Sequence, residues 1–188
     1  TISFGRLGIN RNYIIQFIYM QLKVFIIDVD GVLNTGRFFY SEEGKVMKEF
    51  GADDNDALTL VDDLLEIRFV SGDKRGFAIT KKRVEEDMQY PLDLVSTFKR
   101  IDWIKKLYNP DEVIYMGDGV FDYLVFKEVA YSIAPANSDP YTAGHADYVC
   151  ERAGGDRAVA EACRHLMDKF FGGYNPDKIL QLKPDLLG

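Results

Sequence analysis

Two acids that follow a short apolar segment are the residues with the clearest chemical potential in this sequence. Asp28 and Asp30 come after residues 24–27, Val-Phe-Ile-Ile, which are typical of a strand buried on both faces of a parallel sheet. Residues two apart in an extended chain share a face, so both carboxylates would point the same way. Such a pair is unfavourable unless a cation neutralises it. Gly31 has no side chain and lets the backbone approach a ligand closely. The pattern predicts a metal site.

Polar residues also follow the other segments that are predicted to be buried strands. These segments lie at 67–70, 91–95 and 112–116, and the polar residues that follow them are Ser71, Lys99, Asp118 and Asp122. Strands at this spacing alternate with helical patterns, which predicts a doubly wound α/β fold with a parallel sheet. Ligands of such a sheet bind outside the carboxyl ends of its strands, so we expect these residues to converge although they are distant in sequence.

The composition indicates one globular domain that is acidic and poor in cysteine. The chain has 188 residues, 47% of them hydrophobic, and a net charge of −7, which argues against nucleic acid or an anionic membrane as a partner. Cys150 and Cys163 form no CxxC motif, so we expect two buried thiols in a cytoplasmic protein without zinc. No run approaches the roughly 18 apolar residues that a membrane span needs.

A projecting hairpin and two terminal segments are predicted around this domain. Residues 36–50 read as two strands joined by a turn at 41–44. Phe38, Phe39 and Tyr40 either pack on the protein's own core or form an interface between subunits. We expect the domain to span residues 20–171, with an N-terminal extension at 1–19 and a C-terminal tail at 172–188.

The segment 28–34, Asp-Val-Asp-Gly-Val-Leu-Asn, resembles the first motif of the haloacid dehalogenase (HAD) superfamily, and residues 117–122, Gly-Asp-Gly-Val-Phe-Asp, resemble its fourth, GDxxxD. The resemblance implies a phosphatase in which Asp28 is the nucleophile that forms an aspartyl-phosphate. Asp30 would act as general acid and base. Mg²⁺ would be held by Asp28, the Asp30 carbonyl, Asp118 and Asp122.

The second and third motifs of the superfamily imply a phosphate site. Ser71 and Gly72 match the second motif, where a hydroxyl and backbone N–H groups hold phosphate oxygens. Lys99 matches the third, where a lysine neutralises the phosphate and the nucleophile. The alternative for Lys99 is a solvated surface lysine.

The gaps between motifs are too short for a cap domain, and residues 23–170 resemble the capless 3-deoxy-D-manno-octulosonate 8-phosphate phosphatase family. Members of that family are Mg²⁺-dependent tetramers in which hairpins associate and a neighbouring subunit helps to close the site. The resemblance therefore implies a homotetramer with shared active sites and a small phosphorylated sugar as substrate. It also implies that the substrate is contacted by Asn34, Arg37, Asp54 and Arg157.

One departure from the family keeps other substrates and functions open. Asp53 stands where that family commonly has an arginine suited to a sugar carboxylate, and Arg157 could instead form a salt bridge at a helix start. A different phosphomonoester is therefore an alternative substrate. Alternative functions are a phosphotransferase, a receiver-like domain that is phosphorylated without turnover, and a non-catalytic oligomeric scaffold.

Overall fold

The computed structural model describes residues 22–177, and a six-stranded parallel sheet runs through their centre. In chain order its strands are β1 (Val24–Asp28), β4 (Glu66–Ser71), β5 (Leu92–Leu94), β6 (Val113–Met116), β7 (Tyr131–Ala134) and β8 (Tyr148–Val149). Their spatial order is β5-β4-β1-β6-β7-β8. A separate antiparallel hairpin pairs β2 (Asn34–Ser41) with β3 (Gly44–Phe50).

Six complete α-helices lie within residues 22–177, five of them between strands and the last after β8. They are α1 (Asp53–Leu58), α2 (Phe77–Lys81), α3 (Arg100–Leu107), α4 (Tyr123–Phe126), α5 (Pro140–Ala143) and α6 (Ala158–Phe170). This alternation confirms the predicted doubly wound α/β fold with a projecting hairpin, and the described residues contain no cap domain. None of these helices is long and apolar enough to cross a membrane.

Strand β1 is buried on both faces, as its apolar sequence predicts. Phe25 and Ile27 pack into one hydrophobic cluster and Val24 and Ile26 into a second, and all four are fully buried. Because β1 lies between β4 and β6, the three strand ends that carry polar residues are neighbours in space. The sheet order therefore brings together residues from distant parts of the sequence.

Two helical segments differ from the expectations. The sequence pattern of residues 74–88 predicts one helix, whereas the helix begins at Phe77 and continues as a π-helix over Lys82–Asp87. In the turn before this helix, the Asp73 carboxylate accepts a hydrogen bond from the Gly76 N–H and is held by two lysines of the hairpin. Helix α5 was not predicted, although Asp139 before Pro140 is a typical helix-start signal.

The described residues include only a small part of the two predicted terminal segments. The predicted extension at 1–19 lies outside them, and only residues 172–177 of the predicted tail lie inside. Cys150 and Cys163 are both buried, as predicted, and form no disulfide within the described residues.

Candidate active site

The loop after β1 is folded by its own side chains and by a glycine. The Asn34 side-chain oxygen accepts hydrogen bonds from the N–H groups of Gly31 at 3.2 Å and Gly36 at 2.7 Å. Its amide donates to Asp30 Oδ1 at 2.9 Å. Asn34 is fully buried and holds the loop, and its contact with substrate stays a prediction. At Gly31, with φ +95°, a Cβ would lie 2.0 Å from Asp118 Oδ2, so only glycine fits.

Three carboxylates and one guanidinium form the centre of the site. Asp28, Asp118 and Asp122 each offer an oxygen, and these oxygens lie within 4.8 Å of one another. Arg100, in the first turn of α3, donates from Nη1 to Asp28 Oδ2 at 2.7 Å and from Nη2 to Asp28 Oδ1 at 3.0 Å. Its Nη1 also contacts Asp122 Oδ1 at 2.9 Å, and the Tyr115 hydroxyl donates to that same oxygen at 2.9 Å.

Asp122 also shapes the loop that carries Asp118. Its Oδ2 accepts hydrogen bonds from the N–H groups of Asp118 at 3.1 Å and Gly119 at 2.8 Å. Both oxygens of the Asp122 carboxylate therefore accept hydrogen bonds, Oδ2 from the backbone and Oδ1 from Arg100. Its position is fixed by the fold before any ligand binds.

The acids of this cluster are incompletely neutralised. Desolvation by burial, with added repulsion from Asp28 and Asp122, raises the pKa of Asp118 to about 8. Desolvation also raises the pKa of Asp28 to about 6 against the opposing effect of Arg100. With all three carboxylates ionised, one guanidinium would leave two negative charges, and the raised pKa values of Asp28 and Asp118 reflect how unfavourable that state is without a further cation. A set of oxygen donors with this charge fits a hard divalent cation such as Mg²⁺.

Asp30 is separated from this cluster, although the sequence places it beside Asp28. Its Oδ1 accepts hydrogen bonds from Asn34 and from Lys48 Nζ, the latter at 2.7 Å, and its Oδ2 accepts one from Ser71 Oγ at 3.0 Å. The carboxylate therefore does not belong to the group that could bind a metal. Ser71 is fully buried, and its hydroxyl also accepts a hydrogen bond from the Asp73 N–H at 3.1 Å.

A pocket of about 290 Å³ opens over the acids. Its lining includes Asp28, Asp30, Asp118 and Asp122 from the predicted set, together with Gly72. Phe38, Lys45, Asp73, Thr97, Arg100 and Gly119 complete it. Ser71 lies beneath the pocket, in contact with Asp30.

The structure does not place Lys99 in this pocket. Its side chain is 75% exposed and its ammonium lies 4.0 Å from Asp102. The next residue, Arg100, is buried in the site instead. Successive helical residues point about 100° apart, so a shift of one position turns a side chain from the sheet to the solvent. The period of α3 could have shown this, because Ile104, four residues after Arg100, faces the core.

Three further candidates for substrate contact lie elsewhere. Arg37 is exposed on β2 and does not line the pocket. Asp54 is buried and accepts a hydrogen bond from the Ala160 N–H at 2.9 Å, at the start of α6. Arg157 forms an ion pair with Asp53, which is the helix-start salt bridge considered as its alternative. Asp54 and Arg157 line a different pocket, of about 250 Å³.

Comparisons with known proteins agree with this architecture. No protein-family model matches the chain. It is 30% identical over 157 residues to the 3-deoxy-D-manno-octulosonate 8-phosphate phosphatase KdsC of Salmonella typhi, which covers 78% of this chain and 80% of that protein. The cobalt-bound deoxy-D-mannose-octulosonate 8-phosphate phosphatase (YrbI) of Haemophilus influenzae superposes with a TM-score of 0.74 at 22% identity, covering 87% of this chain and 99% of that one.

A third relative with the same fold was solved with ligands bound. The 3-deoxy-D-manno-octulosonate 8-phosphate phosphatase of Moraxella catarrhalis, solved with a magnesium ion, a phosphate ion and KDO, superposes with a TM-score of 0.71 at 23% identity. It covers 92% of this chain and 99% of that one.

An open parallel sheet with acids at the ends of β1 and β6, on a chain with these relatives, defines a phosphatase of the HAD type. The chain belongs to the 3-deoxy-D-manno-octulosonate 8-phosphate phosphatase (KdsC) family.

Proposed function

We propose that the protein is an Mg²⁺-dependent phosphomonoesterase that hydrolyses a sugar phosphate related to KDO 8-phosphate through an aspartyl-phosphate. The observation that carries the proposal is the cluster of Asp28, Asp118 and Asp122, whose three carboxylates share one guanidinium, that of Arg100, and need a further cation to be ionised together. When bound by these acids and the Asp30 carbonyl, Mg²⁺ would neutralise them and the substrate phosphate.

In the proposed mechanism, a carboxylate oxygen of Asp28 attacks phosphorus and forms a new O–P bond. The P–O bond to the sugar breaks, and the leaving oxygen takes a proton from the carboxyl group of Asp30. Asp30 then accepts a proton from the water that attacks the aspartyl-phosphate, which releases phosphate and restores Asp28. Asp30 lines the same pocket as Asp28 but lies outside the acid cluster, which supports its separate role in proton transfer.

Arg100 takes the role that the sequence assigned to Lys99. Its guanidinium holds both oxygens of Asp28 and lines the pocket next to Gly72 and Thr97. One of its contacts with Asp28 must be given up when the nucleophile attacks. The freed N–H group can then bind an oxygen of the transferring phosphoryl group, because guanidinium geometry suits both carboxylate and phosphate.

We further propose a cytoplasmic homotetramer in which the hairpins associate, built on a domain that spans residues 20–171. Phe39, Tyr40, Val46 and Met47 are each between 46% and 60% exposed on this hairpin. Exposed apolar residues next to one another favour a protein interface. Two reduced, buried cysteines fit a cytoplasmic setting.

The choice of sugar is left to experiment, because the arginine that the family commonly has is replaced by Asp53, and Asp53 pairs with Arg157. A panel of phosphomonoesters, including KDO 8-phosphate and neutral sugar phosphates, would be assayed for phosphate release with Mg²⁺ and with EDTA. We expect multiple turnovers that require Mg²⁺. Asp28→Asn should abolish turnover and retain the fold, because it removes negative charge from a crowded site.

The same assay separates the alternatives. Stoichiometric labelling without turnover would indicate a receiver-like domain, and transfer of the phosphoryl group to a second sugar would indicate a phosphotransferase. Absence of any Mg²⁺-dependent reaction would indicate a scaffold. Full activity of Asp28→Asn would refute the assignment of the nucleophile.

A further inference from the structure

The carboxylate of Asp30 is held mainly by the hairpin. Of the three side chains that donate hydrogen bonds to it, Asn34 belongs to β2, Lys48 to β3, and only Ser71 to the parallel sheet. The Lys48 contact, at 2.7 Å, is the shortest of the three and the one that carries a charge. The hairpin therefore fixes a catalytic side chain as well as projecting from the domain.

Lys48 is enclosed to an unusual degree for a lysine. Its side chain has no exposed surface, and Asp30 keeps 17% of its own. Besides Asp30, its ammonium contacts Thr80 Oγ1 at 2.8 Å and Asp73 Oδ2 at 2.9 Å. An ammonium removed from water is tolerated only when its donors are used, and here all three are. Lys48 thus joins the hairpin to α2, to the loop after β4 and to the catalytic loop.

The neighbouring lysine of the hairpin provides a contrast. Lys45 also pairs with Asp73, and its ammonium lies 3.3 Å from the centre of the Phe38 ring, but it makes no contact with Asp30. Two lysines on one strand therefore share Asp73 as a partner, and only one of them reaches the proposed general acid. The pair allows the effect of contact with Asp30 to be separated from the effect of anchoring the hairpin.

We propose that Lys48 is a positioning residue for the reaction: it holds the Asp30 carboxyl group toward the leaving oxygen and away from the acid cluster around Asp28. The inference rests on the proposed function and deepens it. Two acids on one face of a strand end would otherwise compete for the same cation and the same arginine. The hydrogen bonds from Lys48, Asn34 and Ser71 hold Asp30 apart from the acid cluster, where it can transfer protons. Asp28 stays in the cluster and acts as the nucleophile.

Position matters for this step because a proton passes between two oxygens only within hydrogen-bonding distance. Substrates differ in how strongly the departure of the leaving group depends on this proton. An alkyl phosphate such as a sugar phosphate releases an alkoxide, which must take the proton from Asp30 as the P–O bond breaks. An aryl phosphate such as p-nitrophenyl phosphate releases a stable phenolate, which departs without a proton.

The test compares Lys48→Met with Lys45→Met on these two substrates. The measured quantity is kcat/KM, which reports the steps up to departure of the leaving group. We expect Lys48→Met to lower kcat/KM by about 100-fold for the best alkyl phosphate and by less than about fivefold for p-nitrophenyl phosphate, within the range of general acid catalysis. Lys45→Met should change both values by the same factor. Lys48→Arg should recover part of the alkyl phosphate activity.

Equal losses on both substrates for Lys48→Met, in a protein whose unfolding transition is retained, would overturn the inference and leave the phosphatase proposal standing. If wild type turns over no phosphomonoester, the proposed function itself fails. If Lys48→Met does not fold, Thr80→Val serves instead, since it removes the Lys48 contact at 2.8 Å without touching Asp30. It should show the same leaving-group dependence with a smaller loss, and equal losses on the two substrates would again count against the proposal.

Discussion

Single side chains explain why this site tolerates so many acids. Arg100 donates to both oxygens of Asp28 and to Asp122, and the Tyr115 hydroxyl completes the contact on Asp122. Burial acts to lower the pKa of Arg100, yet the surrounding Asp28, Tyr115 and Asp122 hold it well above its ordinary value. The arginine therefore stays charged and serves as the permanent counter-ion of the nucleophile.

Replacement of Arg100 tests this role directly. Arg100→Met leaves buried carboxylates without their partner, so we expect it to lower the free energy of unfolding in EDTA by about 3–5 kcal/mol. Mg²⁺ should restore part of that loss, because the metal would neutralise the same acids. Urea unfolding with and without Mg²⁺ measures both effects.

Lys99→Met is the matched control for that experiment. Its side chain is largely exposed, so its effect on stability should stay within about 0.5 kcal/mol and its effect on kcat should be small. A large loss of kcat in Lys99→Met together with an active Arg100→Met would reverse the two assignments.

The hairpin and the loops around it are the elements that complete the site. Lys45 and Lys48 of β3 both contact Asp73, which follows β4. Burial acts to raise the pKa of Asp73, but hydrogen bonds from Lys45 and Lys48 lower it to about 2. Because the pKa is lower in the folded state than in the unfolded chain, this contact stabilises the fold above about pH 4.

The contact of Asp73 should therefore weaken in acid. We expect Asp73→Asn to lower the free energy of unfolding by about 1 kcal/mol at pH 6, the scale of a partly exposed charged hydrogen bond. The difference in free energy of unfolding between Asp73→Asn and wild type should shrink as the pH falls from 4 toward 2, because Asp73 of the wild type becomes protonated in that range. Urea titrations at several pH values measure the difference, and a difference independent of pH would contradict the assignment.

The loop before α6 supports the catalytic loop by direct backbone contact. A Cβ at Gly154 would lie 1.7 Å from the Gly31 carbonyl oxygen, whereas a Cβ at Gly144 would meet nothing nearer than 3.4 Å. We expect Gly154→Ala to destabilise the protein by about 3 kcal/mol or more, and Gly144→Ala by less than about 1 kcal/mol. Thermal unfolding compares the two, and equal stabilities would show that the loop can move aside freely.

The sequence predicted the elements of the sheet and the convergence of their polar ends, because short apolar runs indicate buried strands and their alternation with helices indicates a parallel sheet. It did not predict which cation faces the nucleophile, since one residue along a helix separates Arg100 from Lys99. It also did not predict that Lys48 lies in the site. The contact between Lys48 and Asp30 depends on how the hairpin packs against the sheet, and local sequence patterns do not determine that packing.

At the scale of the whole molecule, the exposed apolar residues of the hairpin predict association between subunits. Phe39 and Met47 lie opposite each other across the two strands and are 55% and 56% exposed. We expect light scattering to report a tetramer for wild type and smaller species for Met47→Lys, because a charge in an apolar interface is strongly unfavourable. A monomeric wild type would refute both the tetramer and the shared site.

The order of the strands has a consequence for renaturation. Asp28 ends β1 and Asp118 follows the adjacent strand β6, and the parallel pairing of these strands joins segments far apart in the chain. Pairings of this kind form late, because the entropy cost of closing a long loop comes before the stabilising contacts between the strands. Recovery of phosphatase activity after dilution from denaturant should therefore lag behind recovery of helical signal, which makes catalysis a reporter of the final folding step.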